Sequence, residues 1–425
     1  MADLSRRTLM TATGAALAAP NALRAENVKP RLTAISQWST GSDGAAISAL
    51  GKLFEQNGGL WQHSPVPGFT TEMMNKLRAQ IMSGDPPAAS QLKGPEIAAW
   101  SKIAPTVDLD AIVAEAGYDK VVAPELAALH KPFGHWIALP LQLYRINTLF
   151  VSKKAMDKVG ATALPATWAE FNGLATKMKA AGIIPLANGG IRYDDGMKWE
   201  IALNGISPAI YRKAIMELDT DALNSPEVLG AFEQTRKLAD WMNPSIAAQG
   251  WSVQVAPFIR GEMGMLLMGG WAQGNIINGG FTLADFVSGP APQDNGRAAY
   301  IMNADAFILW QRKEADLQAG QRLFAKLVMQ LSTQEMYSHI TGSIPVRTDA
   351  DLSGPGWSDQ QRSSAQGLKD ALKEKQVVLS LAHNMAQPNP ITAAMIDVLT
   401  EFVHNKDLKP KEAQQRLVDS IDSAR

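Results

Sequence analysis

The residues with the richest chemistry lie in the segment 36–43, which reads Ser-Gln-Trp-Ser-Thr-Gly-Ser-Asp. Trp38 offers an apolar ring face that can stack on the C–H face of a sugar, together with one N–H donor. Ser42 and Asp43 add a hydroxyl group and a carboxylate. The alternative interpretation is a helix N-cap at Ser42 or Asp43 in front of a core tryptophan. A ligand site and a structural turn both remain open at this point.

The elements around this segment predict how it is positioned. Alternating apolar residues predict a strand over 31–35, and apolar residues at helical spacing predict a helix over 43–56. Further helices are expected over 71–82, 94–101 and 123–129. This β-α-β-α beginning predicts a largely parallel sheet, and open α/β sheets bind ligands at strand-to-helix turns.

The middle of the chain contains a second set of signals. Residues 133–151 are extended in character and are interpreted as a crossover between two lobes. Thr167 and Glu170 form a capping-box pattern that begins a helix ending at Gly182. After a strand over 183–187 and a glycine turn, residues 192–195 (Arg-Tyr-Asp-Asp) are predicted to be a polar loop.

The last third is predicted to return to the first lobe and then to be helical. Residues 300–309 are strand-like, with Asn303 and Asp305 on one face. Helices are expected over 316–331 and at the C-terminal end over 411–420.

The composition limits the class of protein. A chain of 425 residues with 46% hydrophobic and 19% charged residues can bury a large core in two lobes or domains. The net charge is −1, with both signs interspersed, which argues against a nucleic-acid partner because duplex binding needs a clustered basic surface. The chain has no cysteine, so thiolate catalysis, disulfides and cysteine-ligated zinc are excluded.

The first 25 residues have the pattern of a signal peptide. Arg6 and Arg7 precede a short apolar run, and small residues follow up to Ala25. The adjacent arginines after Ser5 indicate twin-arginine export, with ordinary Sec export as the alternative because Leu9 stands where an aromatic residue is usual. The expected location is the periplasm.

Motifs for enzymatic chemistry are weak. The sequence has no phosphate-binding P-loop, no dinucleotide fingerprint, no zinc-protease motif and no nucleophile elbow. Asp194-Asp195 and the Asp108/Asp110 pair could act as paired carboxylates in glycoside hydrolysis, although such pairs are common on solvated turns. The sequence therefore favours binding over catalysis, with no catalytic, cofactor or metal residue assigned. An exported glycoside-active hydrolase is the alternative.

Six segments together resemble one family. They are Trp-Ser-Thr-Gly-Ser-Asp at 38–43, Pro-Leu-Gln-Leu-Tyr-Arg-Ile-Asn at 140–147, Pro-Ala-Thr-Trp-Ala-Glu-Phe at 165–171, Ile-Pro-Leu-Ala-Asn-Gly-Gly at 184–190, Gly-Glu-Met-Gly-Met-Leu-Leu-Met-Gly-Gly-Trp-Ala at 261–272 and Gly-Ser-Ile-Pro-Val-Arg at 342–347. Their order and spacing resemble the extracellular solute-binding proteins of ABC importers, in the carbohydrate-binding family. The resemblance runs from about residue 31 to the C-terminus and is greatest to glucose- and mannose-type binding proteins.

The resemblance implies a set of ligand-binding residues. Matching the family's pattern position by position, and adding nearby polar groups, gives Gln37, Trp38, Ser42, Asp43, Lys93, Tyr193, Trp271, Asn303, Asp305, Arg347 and His383. The sequence departs from the family at Gln37, at Ile191 and Tyr193, and at Thr341. These departures disfavour glucose itself and leave a polyol, a substituted sugar or a glycoside open.

Three arginines could read an anionic substituent by bidentate pairing: Arg145, Arg192 and Arg347. The alternative is that they form ordinary surface ion pairs.

The resemblance also implies the architecture and the role. The fold is expected to be α/β, a type II-like periplasmic binding protein with two lobes, each a mainly parallel sheet flanked by helices, joined by crossover hinge strands. The expected lobes are 26–143 with 300–332, and 144–299 with 333–425. The implied function is capture of a mono- or small oligosaccharide, polyol or substituted sugar for an ABC permease in the inner membrane, by a monomer without a cofactor.

Overall fold

The structure is a computed structural model that describes residues 28–66, 69–243 and 250–425. The predicted signal peptide, residues 1–25, lies outside the described residues. In the described part no helix is long and apolar enough to cross a membrane.

The strands and helices of the described residues alternate for most of the chain. The strands are β1 (Arg31–Ser36), β2 (Leu60–Pro65), β3 (Ala89–Leu92), β4 (Ala138–Arg145), β5 (Thr148–Ser152), β6 (Ile184–Leu186), β7 (Met263–Met268), β8 (Phe286–Pro290), β9 (Tyr300–Leu309) and β10 (Val377–Leu379). The helices are α1 (Gly41–Gln56), α2 (Phe69–Met82), α3 (Pro95–Ser101), α4 (Asp110–Glu115), α5 (Pro124–His130), α6 (Lys153–Val159), α7 (Trp168–Ala180), α8 (Arg192–Ile206), α9 (Pro208–Tyr211), α10 (Thr220–Leu223), α11 (Pro226–Trp241), α12 (Val255–Arg260), α13 (Trp271–Asn278), α14 (Ala315–Met329), α15 (Leu331–Thr341), α16 (Asp359–Lys373), α17 (Asn389–His404) and α18 (Pro410–Ala424).

The first sheet is organised around the long strand β9. Its strand order is β10-β9-β3-β1-β2, and β4 pairs with β9 along the other edge. In the antiparallel register of β4 and β9, Gln142 lies opposite Asp305 and Tyr144 lies opposite Asn303. Because side chains alternate between the faces of a strand, these four polar residues share one face of the sheet.

The second sheet has the order β6-β7-β5-β8. The two-sheet α/β architecture predicted from the sequence is confirmed, but the prediction that both sheets are mainly parallel needs correction. Here β5 pairs antiparallel with both β7 and β8, and only β6 and β7 run parallel. The reason is that β5 and β8 lie next to the points where the chain passes between the sheets, so neither is part of a repeated β-α-β unit.

The hydrophobic core is divided between the two sheets. The cluster around the first sheet includes Phe54, Phe307 and Tyr337, and the cluster around the second includes Trp199 and Phe232. The sequence prediction assigned residues 333–425 to the second lobe. Within that stretch, α15 and β10 belong to the first sheet's side, whereas α17 and α18 pack on the second.

The chain passes between the two sheets at three places: residues 146–147, 291–299 and 380–388. The first lies within the crossover predicted over 133–151, and the second immediately precedes β9, the strand predicted to return to the first lobe. The third follows β10, which keeps the chain in the first sheet until residue 379.

Helix α8 is the largest difference from the sequence prediction. Residues 192–195 are its first turn rather than a polar loop. The helix is buried on nearly every side, so its polar residues do not form the solvent-facing stripe from which helices are recognised in sequence. The capping box of Thr167 and Glu170 at the start of α7 is confirmed.

Candidate functional site

A cavity of about 1050 Å³ lies between the two sheets. Its wall is built from the residues that follow strands β1, β3, β6, β7 and β10, and from one face of β4 and β9. The carboxyl ends of strands in open α/β folds form such crevices because the following helices begin on both sides of them. The fold therefore brings together side chains that lie far apart in the sequence.

Nine of the eleven predicted site residues line this cavity. They are Gln37, Trp38, Asp43, Lys93, Tyr193, Trp271, Asn303, Asp305 and His383. Ser42 and Arg347 do not line it.

Ser42 and Arg347 have structural contacts instead. Ser42 is fully buried, and its hydroxyl accepts a hydrogen bond from the Asn275 amide at 3.1 Å. Arg347 pairs with Asp349 in a two-pronged contact, with N–O distances of 2.9 and 2.6 Å, and donates to the Met329 carbonyl. The prediction of Arg347 as a ligand-reading residue is therefore corrected, because its guanidinium is engaged away from the cavity.

The two tryptophans present only part of their rings to the cavity. Trp38 is 4% exposed and packs edge-on against Phe307, with ring centroids 5.7 Å apart. Trp271 is 9% exposed and meets Tyr144 edge-on at 5.2 Å. Trp38 is thus a core residue and a cavity wall at once. The predicted N-cap at Ser42 or Asp43 is wrong, because α1 begins at Gly41 and Thr40 occupies the N-cap position.

Asp305 is surrounded by protein donors. Its Oδ1 accepts from Gln91 at 3.1 Å, and its Oδ2 accepts from Asn303 at 3.0 Å and from Gln142 at 3.3 Å. The Lys93 ammonium lies 3.4 Å from Oδ1. With three amide donors and one cation, Asp305 organises the floor of the cavity and keeps its neighbours in fixed rotamers.

Asp43 has far weaker protein partners. It lies in the first turn of α1, and its Oδ1 lies 3.5 Å from the Tyr144 hydroxyl, at the limit of a hydrogen bond. The Gln142 side chain and the Lys93 charge also act on it. Desolvation, with the Asp305 carboxylate second, raises the pKa of Asp43 to about 7. A carboxylate with this environment gains strongly from any ligand group that donates a hydrogen bond to it.

His383 follows β10 and lies between two aromatic side chains. Its ring centroid is 4.9 Å from that of Trp271 and 5.4 Å from that of Tyr193. Burial, together with the nearby Lys93 charge, lowers the pKa of His383 well below its usual range, so the imidazole is neutral. Among the described residues its Nε2 has no hydrogen-bond partner.

Sequence reasoning missed several polar residues of the wall and floor. Gln91, Gln142 and Tyr144 support the two carboxylates, and Asn275 lies in the middle of α13. The alternation Leu-Gln-Leu-Tyr at 141–144 was a usable signal, since it places Gln142 and Tyr144 on the opposite strand face from the leucines.

The three arginines considered as anion readers do not form an anion site. Arg145 is buried, with its guanidinium 5.0 Å from the Tyr300 ring centroid. Arg192 lines the cavity but pairs with Asp397. With Arg347 engaged elsewhere, none of these guanidinium groups is aimed at the cavity without a partner.

The carboxylate pairs considered for hydrolysis lie elsewhere. Asp194 is fully buried and paired with Lys198, and Asp195 accepts from Asn188 and contacts His404 at 2.9 Å. Asp110 accepts from the Trp136 backbone amide at 2.8 Å. The described residues contain no group of three or more acidic, histidine or cysteine side chains that could hold a metal ion.

Comparison with known proteins gives a family match over most of the chain. The sequence profile of the family described as bacterial extracellular solute-binding protein matches residues 49–363. A protein of Rhizobium meliloti (strain 1021), named probable sugar-binding periplasmic protein, is 31% identical over 427 aligned positions, covering 99% of this chain and all of the relative.

Solved structures show the same fold at lower identity. A chitin oligosaccharide binding protein superposes with a TM-score of 0.77 at 18% identity, covering 93% of this chain and 98% of that one. A bacterial solute receptor described as exclusively preferring β-D-galactopyranose gives a TM-score of 0.74 at 17% identity, covering 93% of this chain and 99% of that one.

Proposed function

Because this chain belongs to the bacterial extracellular solute-binding proteins, we propose that it is the periplasmic substrate-binding component of an ABC sugar importer. The observation that carries the proposal is the cavity between the two sheets, whose floor holds Asp43, Asn303 and Asp305 and whose wall holds the rings of Trp271 and Tyr193. Hydrogen-bond acceptors beside aromatic rings suit a ring that is apolar on one face and carries hydroxyl groups at its edge.

The similar proteins support a sugar as the ligand. The Rhizobium meliloti relative is named for sugar binding, and the two solved structures bind a chitin oligosaccharide and a galactopyranose. We assign this chain a neutral mono- or small oligosaccharide, polyol or uncharged substituted sugar. The engagement of Arg145, Arg192 and Arg347 with protein groups argues against an anionic substituent held by these three arginines.

Binding strength follows from many small terms. Each hydrogen bond that replaces one to water contributes only about 0.5–1.5 kcal/mol. Micromolar affinity corresponds to roughly 8 kcal/mol. The ligand therefore needs several bonds at the floor, contact with the aromatic rings and closure of the two lobes about the segments 146–147, 291–299 and 380–388.

Delivery completes the proposed role. The exported protein, a monomer, releases the sugar chemically unchanged to a permease in the inner membrane. The twin-arginine signal is our preferred export route, with Sec as the alternative. No catalytic role is assigned, because Asp43 and Asp305 both belong to the first lobe and Asp305 is held by protein donors.

The experiment is calorimetric titration of the mature protein against neutral monosaccharides, disaccharides, polyols, glycosides and uronic acids, with product analysis after long incubation. We expect saturable binding of a neutral sugar, with the sugar recovered intact. Binding of uronic acids alone would overturn the neutral-ligand assignment, and hydrolysis of a glycoside would establish the enzyme alternative.

A further inference from the structure

Helix α13 belongs to the second lobe but also lies against the first. It follows β7, and its residues Trp271 and Ile276 pack in the core cluster around the second sheet. At its start the Gly270 N–H donates to the backbone carbonyl of Arg145, the last residue of β4, at 3.1 Å. The helix therefore begins at the boundary between the two lobes, beside the passage at 146–147.

Two contacts further along α13 hold it on the first lobe. Asn275 donates through Nδ2 to the Ser42 hydroxyl of α1 at 3.1 Å. The same nitrogen lies 3.2 Å from the Trp271 carbonyl, which can only accept, so the amide nitrogen and not the amide oxygen points this way. Gly274 lies against the backbone carbonyl of Thr341 at the end of α15, too close for a Cβ to fit between them.

Ser42 takes part in these contacts without reaching the cavity. It is fully buried and does not line the cavity, whereas the next residue, Asp43, does. On α13, Trp271 lies one turn before Asn275 and forms part of the cavity wall. The bond between Ser42 and Asn275 therefore links the helix that carries the Asp43 acceptor to the helix that carries the Trp271 ring.

We propose that Ser42 and Asn275 are positioning residues that clasp α13 onto α1 before the sugar arrives. In the clasped arrangement Asp43 and Trp271 already face the same cavity from different lobes. A molecule with an open clasp must first bring the lobes together, so the apparent affinity falls with the fraction of clasped molecules. The inference rests on the proposed sugar-binding function and deepens it, because it assigns part of the affinity to a residue that the ligand does not touch.

The clasp can be measured without any ligand. Because the chain has no cysteine, Lys52→Cys on α1 and Lys237→Cys on α11 provide two exposed spin-label sites on different lobes. Double electron–electron resonance between the labels gives the distribution of distances between the lobes. We expect the doubly labelled protein to show a population at the inter-lobe distance of this structure, and its absence would overturn the proposal.

The variants change the partners of Asn275, because Asn275 itself lines the cavity. Ser42→Ala should lower the ratio of clasped to open molecules about two- to tenfold, the effect of one neutral hydrogen bond. Gly274→Ala acts on the other contact and should shift the distances in the same direction. The control is Ser48→Ala, which removes an exposed hydroxyl that bonds within α1 and should change nothing. Unchanged distances in both Ser42→Ala and Gly274→Ala would overturn the clasp.

The ligand arm titrates the neutral sugar that binds most tightly into wild type and Ser42→Ala. We expect saturation to restore the wild-type distance in the variant, and the dissociation constant to rise by the factor by which the clasped fraction falls. Weaker binding with unchanged distances, or a smaller clasped fraction with unchanged affinity, would overturn the assigned role. Failure of every neutral sugar to bind would instead reject the proposed function, while the ligand-free distances would still test the clasp.

Discussion

The two carboxylates of the cavity differ in how completely protein donors satisfy them. Asp305 receives three amide donors and lies 3.4 Å from the Lys93 ammonium. Asp43 feels the same Lys93 charge, but its neutral partners are only Gln142 and the Tyr144 hydroxyl at 3.5 Å. Asp305 therefore serves as a fixed support. Asp43 is the carboxylate with capacity left for the ligand.

At the residue scale, Asp43→Asn should stabilise the ligand-free protein at neutral and alkaline pH. The folded-state pKa of Asp43, about 7, lies above its unfolded value of 3.8, so ionisation of this group costs stability as the pH rises. Asp43 keeps part of its surface open to the cavity, which reduces the effect to roughly 1–3 kcal/mol. Urea denaturation should show the variant more stable than wild type at pH 8 and equally stable near pH 4. A variant less stable at pH 8 would contradict the assigned desolvation.

Some polar residues of the cavity and its surroundings could be predicted from the sequence, and others could not. Asn303 and Asp305 were predictable because strand alternation places them on one face, and Asp43 because it follows a strand and begins a helix. The bond between Glu200 and Ser380 was not, because 180 positions separate them and nothing local to either residue records the other.

At the element scale, burial on every side explains why the start of α8 resembled a loop. Its acidic residues have protein partners: Asp194 pairs with Lys198 within the helix, Asp195 with His404 of α17, and Glu200 with Ser380. The sequence alone does not distinguish a polar residue that has a buried partner from one that is exposed to solvent. Periodicity therefore fails for this helix, whereas the capping box of α7 is a local signal and was read correctly.

Helix α14 packs so closely on β1 that its contact residue must be glycine. A Cβ on Gly320 would fall on the Arg31 backbone carbonyl, whereas a Cβ on Gly173 of α7 would meet open space. Gly320→Ala should destabilise the protein by about 1–3 kcal/mol despite the better helix propensity of alanine. Gly173→Ala, the matched control, should stabilise it by roughly 0.5–1 kcal/mol. Urea denaturation of both variants tests the packing, and equal effects would contradict it.

At the scale of the whole molecule, the two sheets are joined by three short segments and touch again where Asn275 of α13 donates to Ser42 of α1. A ligand that contacts both sides favours a more closed arrangement. Small-angle X-ray scattering should show the radius of gyration falling by a few per cent from about 22 Å when the bound sugar is added. An unchanged radius at saturation would argue against closure as part of binding.

Much of the overall architecture could be predicted from order and spacing. The β-α-β-α beginning predicted the α/β class, and the family resemblance carried by the segments around Trp38, Thr167 and Trp271 implied the two lobes. Strand direction in the second sheet and the third passage at 380–388 could not be predicted, because both depend on long-range pairing.

The most direct test of sugar binding at the cavity floor is the dissociation constant of the preferred neutral sugar for wild type and Asp43→Asn at pH 8, with Asp349→Asn as control. Asp349→Asn is the same type of substitution, and Asp349 pairs with Arg347 away from the cavity. We predict that Asp43→Asn binds at least tenfold more weakly and Asp349→Asn binds like wild type. An affinity of folded Asp43→Asn equal to that of wild type would contradict the account.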